Sequence, residues 1–266
     1  EVMDHWDDYA ARDAYFKLLT GNAPGKRVVE VFCTPEQALE QMDKAGVETI
    51  VMQGWYWNDP GLMREHNDYM HDVVARWPHR FAAYAAINPA LGQDALRELA
   101  RIQSMNFAGL GELGPGGNSY PLDHPILLEI LEGAQAAGLP VNFHVGEPVG
   151  HNYPGKDLTP IEAFYQIARR FPRLKLVLAH AGGGLPYYEL DPAVHEAFRN
   201  VSYDLAALPL LYHIRSVPAL VKLAGARRVL FGTDFPLTIY PWLTKDLEIS
   251  LLAQDITANA GLSPAD

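Results

Sequence analysis

The chain has 266 residues, enough for one large domain or two small ones, and 48% of them are hydrophobic, ample for a sizeable core. A formal net charge of −11 argues against a nucleic-acid partner, which needs clustered Lys and Arg to displace counterions. No apolar run is long enough to span a bilayer, and the single cysteine, Cys33, excludes an internal disulfide and fits the reducing conditions of a cytoplasmic protein.

Residues 1–30 carry Trp6, Tyr9, Tyr15 and Phe16 among Asp and Arg, and read as a helical excursion. Residues 31–266 read as one regular unit, with no Ser/Gly-rich linker and no repeat. Thr34-Pro35-Glu36 caps an amphipathic helix that ends at Gly46. Strand Val47–Gln53 follows, then helix 60–77, strand Phe81–Asn88, helix 92–104 and strand Phe107–Leu113. Helix 125–137, strand Pro140–Val145, a long loop, helix 159–171 and strand Leu174–Ala181 come next. A glycine turn, a helix near 187–199, strand Val201–Ala206, helix 213–224 and strand Arg228–Thr233 complete the series. No signal-peptide pattern follows Glu1, and Ser263-Pro264 reads as the start of a further helix, so both ends look cut.

Strands alternating with helices predict an α/β fold with a parallel sheet. An open doubly wound sheet would gather its site at one switch point. Here Asn88, Glu112, His144, His180, Asp204 and Asp234 sit at successive strand ends. A ring of that kind favours a (β/α)8 TIM barrel, lacking its first strand in this chain, with the site at the C-terminal mouth.

His144, in Val-Asn-Phe-His-Val-Gly-Glu, is placed to ligate a divalent metal. His180, before Ala-Gly-Gly-Gly, suits a ligand or an acid/base aimed at the reacting group. Asp234, in Gly-Thr-Asp-Phe-Pro, has apolar neighbours that make an ionised carboxylate costly unless paired or metal-bound. Glu112 suits a metal bridge, a base or a plain salt bridge. Glu147 is read as a loop carboxylate facing water. Gly150–Lys156 nearly matches a phosphate loop, but Asp157 stands where Ser/Thr should be and Pro154 breaks the cradle. That loop is read instead as a substrate lid offering His151, Tyr153 and Lys156. Trp55, Tyr56 and Trp57 either wall the pocket or pack against the N-terminal excursion. Cys33 is read as a small buried hydrophobe rather than a nucleophile.

Phe-His-Val-Gly-Glu-Pro, Leu-Ala-His-Ala-Gly-Gly-Gly and Phe-Gly-Thr-Asp-Phe-Pro together resemble motifs of the amidohydrolase superfamily, over about residues 34–240. The resemblance is greatest to its amidohydrolase-related (amidohydrolase 2) branch, which includes aminocarboxymuconate-semialdehyde decarboxylase-like enzymes. It implies a divalent metal, zinc above all, on His144 and Asp234, with His180 acting on the substrate or holding a second metal. Glu112 falls where some relatives carry a fourth-strand carboxylate ligand. The first-strand His-x-His of that family has no counterpart here, and Met3-Asp4-His5-Trp6-Asp7 is only faintly similar. The expected function is a metal-dependent hydrolase: activated water attacks a small-molecule carbonyl, with catalytic roles for His180, Asp234 and Glu112. A nonhydrolytic decarboxylase is the alternative, and an inactive barrel with a binding role the third. A homo-oligomer is compatible with each.

Overall fold

In the computed structural model of the chain the described residues are 5–21, 32–213 and 216–237. The excursion forms two short helices, α1 (Trp6–Arg12) and α2 (Ala14–Thr20), separated by Asp13, whose side chain caps α2. Helix α3 (Pro35–Ala45) has the full reciprocal capping box between Thr34 and Gln37, with a left-handed Gly46 at its end. Then come β1 (Ile50–Met52), α4 (Pro60–Arg76), β2 (Phe81–Ala85), α5 (Gln93–Ile102), β3 (Gly109–Leu113), α6 (Pro125–Ala137) and β4 (Val141–Phe143). They are followed by α7 (Ile161–Arg170), β5 (Leu176–Leu178), α8 (Pro192–Ala197), β6 (Val201–Asp204), α9 (Leu208–Leu211), α10 (Ser216–Ala224) and β7 (Val229–Leu230).

Seven strands pair in parallel in chain order, β1 to β7, which is the TIM-barrel-like α/β arrangement expected from the sequence. Among the described residues no ladder joins β7 to β1. Every residue of β3, β4 and β5 is buried, which explains their unalternating apolar runs. The two outer strands are more open: Val51 on β1 is 48% exposed and Leu230 on β7 is 39% exposed. In-phase pairing of Phe143 with Leu178, and of Leu113 with Phe143, brings the ends of β3, β4 and β5 to one level.

The main core joins these strands to α5, α6 and α7 through Leu110, Leu127, Phe143, Phe164 and Tyr203. A second cluster buries Phe16 of α2 against Trp57 and Tyr9 near Leu62 and Met63. Full burial of a side chain the size of Phe16 contributes about 1.5–3 kcal/mol, enough to hold the N-terminal pair on the barrel. Among the described residues no helix is long and apolar enough to cross a membrane.

The strands are shorter than predicted: β3 begins at Gly109 instead of Phe107, and β5 runs only from Leu176 to Leu178. The helix expected near 187–199 is only α8. Before it, His180–Leu190 winds as 3₁₀ turns, with left-handed residues from Ala181 to Gly184 and Pro186 inside. Three consecutive glycines make that path cheap. The helix predicted at 213–224 begins at Ser216, with residues 214 and 215 outside the described set. Residues 22–31, Met3-Asp4 and the further helix at Ser263-Pro264 also lie outside it. Cys33 is half-buried, and burial pushes its thiol up to about 11, which leaves little thiolate for nucleophilic attack.

Candidate metal centre

Three side chains from consecutive strand ends converge. His144 follows β4, His180 follows β5, and Glu112 is the penultimate residue of β3. Glu112 Oε1 lies 2.7 Å from His144 Nδ1 and 3.4 Å from His180 Nε2, and the two nitrogens are 3.1 Å apart. One ligand atom from each lies within 4.8 Å of the others. Donors about 2.1 Å from a tetrahedral cation stand about 3.4 Å apart, so His180 and Glu112 already match while the Glu112–His144 pair would have to open by about 0.7 Å. His144 Nδ1 faces both partners, while its Nε2 is buried on the far side of the ring without a hydrogen-bond partner. One carboxylate and two imidazoles are donors that suit a divalent cation, and here they fit one.

The electrostatics agree. Burial works to raise the Glu112 carboxyl, but hydrogen bonds and charge from His144 and His180 outweigh it and hold it well below the usual carboxylate range. Burial opposes a charged His180, yet Glu112, Asp234 and Asp204 push that imidazole up to about 10. A buried anion without a permanent counter-ion recruits a proton onto an imidazole neighbour, here His180.

His180 is anchored twice on the end of the neighbouring strand β6 and the residues after it. Its Nδ1 lies 3.0 Å from the carbonyl oxygen of Ala206, and its backbone N–H donates to Asp204 Oδ1 at 3.0 Å. Burial raises the Asp204 carboxyl to about 6, with Glu112 adding to the rise and His180 opposing it. His180 and Asp234 both have positive φ, 56° and 60°. A left-handed non-glycine residue costs on the order of 1 kcal/mol, and such strain persists where surroundings over-determine it, as at functional sites.

Asp234 is not one of the tight trio, although the sequence grouped it with His144 and His180. It stands four residues beyond β7, at the open side of the sheet, near enough for its charge to act on both imidazoles. Burial raises its carboxyl, with Glu112 adding to the rise and the imidazoles opposing it.

Two expectations are corrected. Glu147 does not face water: it is buried, accepts from Tyr153 Oη at 2.9 Å and pairs with Lys156 Nζ at 3.2 Å. Lys156 is therefore not a free cation for an anionic substrate, since it also donates to the carbonyl of His151. The loop's apolar tip stays outside, with Val149 86% exposed. Asn88 is structural, capping the turn at Pro89 and donating to the carbonyl of Trp57. Of the three aromatics after β1, Trp55 and Trp57 pack toward Phe16, whereas Tyr56 turns inward and sets its hydroxyl 3.0 Å from His144 Nδ1. The sequence marked this cluster without separating its members. A cavity of about 980 Å³ opens on the flank between Leu18, Leu122, Leu158 and Arg170, but it contains none of the trio. The centre is identified by its donors, not by cavity size.

Fold and donor set together define an enzyme-like (β/α) barrel with a cation-ready centre at the C-terminal ends of its strands. The chain belongs to the amidohydrolase family, whose model matches residues 22–265. It is 25% identical over 242 residues to 2-amino-3-carboxymuconate-6-semialdehyde decarboxylase of Dictyostelium discoideum, covering 76% of this chain and 66% of that protein. It is 26% identical over 253 residues to a gamma-resorcylate decarboxylase of Polaromonas, covering 76% of each. The chain thus spans 66% and 76% of the lengths of these two relatives. Its fold matches 5-carboxyvanillate decarboxylase from Sphingomonas paucimobilis with a TM-score of 0.73 at 19% identity, covering 98% of this chain and 93% of that one. A dihydroxybenzoic acid decarboxylase from Polaromonas, solved with bound manganese, matches with a TM-score of 0.64 at 19% identity, covering 98% and 85%. These relatives support the alternative of carboxy-lyase chemistry over the leading expectation of hydrolysis, and they do not single out zinc.

Proposed function

We propose that the protein is a metal-dependent decarboxylase acting on a small conjugated carboxylate. Two relatives of different substrates, both decarboxylases, carry the reading, together with the Glu112–His144–His180 trio. The trio would hold one divalent cation, manganese or zinc. When bound, that cation supplies Lewis-acid stabilisation of negative charge on the substrate's oxygens. The chain's residues do the rest. Loss of CO₂ breaks the bond to the carboxylate carbon and leaves an electron pair that takes up a proton. Asp234, beside the trio but outside it, is the carboxyl placed to carry that proton. His180, its Nδ1 held by the Ala206 carbonyl and its backbone N–H by Asp204, would present Nε2 to the cation. The buried walls of β3 to β5 exclude water and strengthen each of these contacts.

The test is to load the whole protein with Mn²⁺ or Zn²⁺ and offer hydroxybenzoates beside a panel of esters, lactones and amides. Release of CO₂ in step with loss of a hydroxybenzoate is the expected result. Hydrolysis of a panel member without CO₂ release would overturn the assignment in favour of hydrolase chemistry.

A further inference from the structure

Three polar atoms compete for one ring nitrogen. Within 3.1 Å of His144 Nδ1 lie Glu112 Oε1, His180 Nε2 and Tyr56 Oη. Tyr56 comes from the loop after β1 and has no part in the reading above. Because Nδ1 is the nitrogen that faces the trio, the Tyr56 hydroxyl stands at the centre itself. An imidazole nitrogen has one position to offer, a hydrogen or a lone pair. Glu112, at 2.7 Å, or a cation takes that position, and the Tyr56 hydroxyl hydrogen then serves another acceptor.

The way in lies on the same side. Side-chain exposure is 17% for His144 but only 8% for Glu112 and 6% for His180. Tyr56 is half-buried. A small molecule therefore reaches the trio past the His144 ring and the hydroxyl beside it. The ring that carries the hydroxyl is firmly seated. A Cβ at Gly114 would stand 2.4 Å from Tyr56 Cδ1, so the ring lies directly on the backbone of the loop after β3. Asn118 donates to the Tyr56 carbonyl at 2.9 Å, and Tyr15 of α2 meets the ring edge-on at 6.1 Å between centroids. A phenyl ring would keep each of these contacts. What the hydroxyl adds is a fixed donor at the centre, and a donor held where charge develops lowers a barrier without reorganising.

We propose that Tyr56 is a further catalytic residue. Its hydroxyl donates a hydrogen bond to the substrate oxygen held at the cation centre, the atom that gathers negative charge as CO₂ leaves. It transfers no proton; that role stays with Asp234. The inference rests on the decarboxylase reading above and adds one residue to that site.

The experiment titrates two probes into the whole protein loaded with Mn²⁺. One is 2-nitrophenol, with a nitro group in place of a hydroxybenzoate's carboxylate; the other is nitrobenzene, which lacks the phenolic oxygen. Wild type should hold one Mn²⁺ and prefer 2-nitrophenol. Tyr56→Phe should keep its Mn²⁺ and melt within about 4 °C of wild type. It should bind 2-nitrophenol about tenfold or more weakly, with nitrobenzene unchanged. Its kcat on a hydroxybenzoate should fall about a hundredfold. Gly114→Ala, which pushes the ring off its seat, should show the same selective loss and decides if Tyr56→Phe does not fold. Equal weakening of both probes, or of neither, would overturn the role, as would a wild type without preference for 2-nitrophenol. Loss of Mn²⁺ from Tyr56→Phe would also overturn it, by placing the hydroxyl in cation binding instead. If no hydroxybenzoate releases CO₂ while the selective loss stands, the contact holds and the decarboxylase reading alone fails. Wild type without stoichiometric Mn²⁺ would overturn the centre, and this inference with it.

Discussion

Two buried glutamates mark opposite ends of the sheet. Glu112, at the C-terminal end of β3, faces two imidazoles. Glu189 is fully buried beyond β5, and both its oxygens accept from Arg228, which precedes β7 and also donates to the carbonyls of Phe198 and Val201 at the start of β6. Tyr203 Oη adds a bond to Glu189 at 2.8 Å. The partners make the difference. Arg228 is always charged, so its pair is complete and serves as a brace. His144 and His180 are counter-ions only while protonated, so Glu112 has an exchangeable position that a divalent cation can take. A buried carboxylate with a permanent partner is structural, and one with titratable partners is poised for chemistry. The end of the strands on which each lies agrees with this division in barrel folds.

The comparison can be broken most sharply at the centre. His144→Ala or Glu112→Gln should reduce bound metal to a trace and lower turnover by on the order of a thousandfold, the loss expected when several kcal/mol of Lewis-acid stabilisation disappears. Elemental analysis and CO₂ release read this. Full metal content in either variant would remove that residue from the centre.

At the brace the effects reverse. Arg228→Ala leaves Glu189 buried with only the Tyr203 hydroxyl and the exposed His195 imidazole beside it, and should cost about 3 kcal/mol in urea unfolding while metal per folded molecule stays unchanged. Loss of metal without loss of stability would make the brace part of the site.

His66 sharpens the contrast as a buried base with no counter-ion. Its Nε2 has no hydrogen-bond partner, and burial lowers its imidazole from 6.5 to about 4. The unfolded chain therefore takes up the proton first. Stability is full above pH 6.5 and falls as pH drops toward 4, by at most about 3 kcal/mol because the side chain keeps some solvent contact. Unfolding at stepped pH should show this slope in wild type and lose it in His66→Leu.

The smallest effect belongs to the loop pair. Tyr153→Phe removes one of two partners of Glu147 and should cost about 1 kcal/mol. Faster amide exchange over residues 148–156 would report it, with metal content unchanged.

Much of the architecture was legible in the chain. The helix at 125–137 is found at the predicted bounds, because Pro125 and Gly138 punctuate it unambiguously. The capping box at Thr34 and Gln37 is equally local. His144, His180 and Glu112 were recognisable as polar endings to apolar runs. Their separation from Asp234 was not, since the sequence presents all four as equivalent strand ends. Only pairing geometry shows that three lie on the buried arc and one beyond the exposed last strand. Glu147 and Lys156, nine residues apart in a loop, gave no sign of a buried pair.

Local chemistry in the amino-acid order therefore determined the alternation of elements, the parallel sheet and the residue types at the mouth, because caps, turns and apolar periods act over a few residues. Tertiary structure decided which carboxylate meets which cation, and that Tyr56 alone among three adjacent aromatics points at His144. Those outcomes depend on contacts between segments 32 to 88 residues apart, whose energies arise only when the strands align and water is excluded.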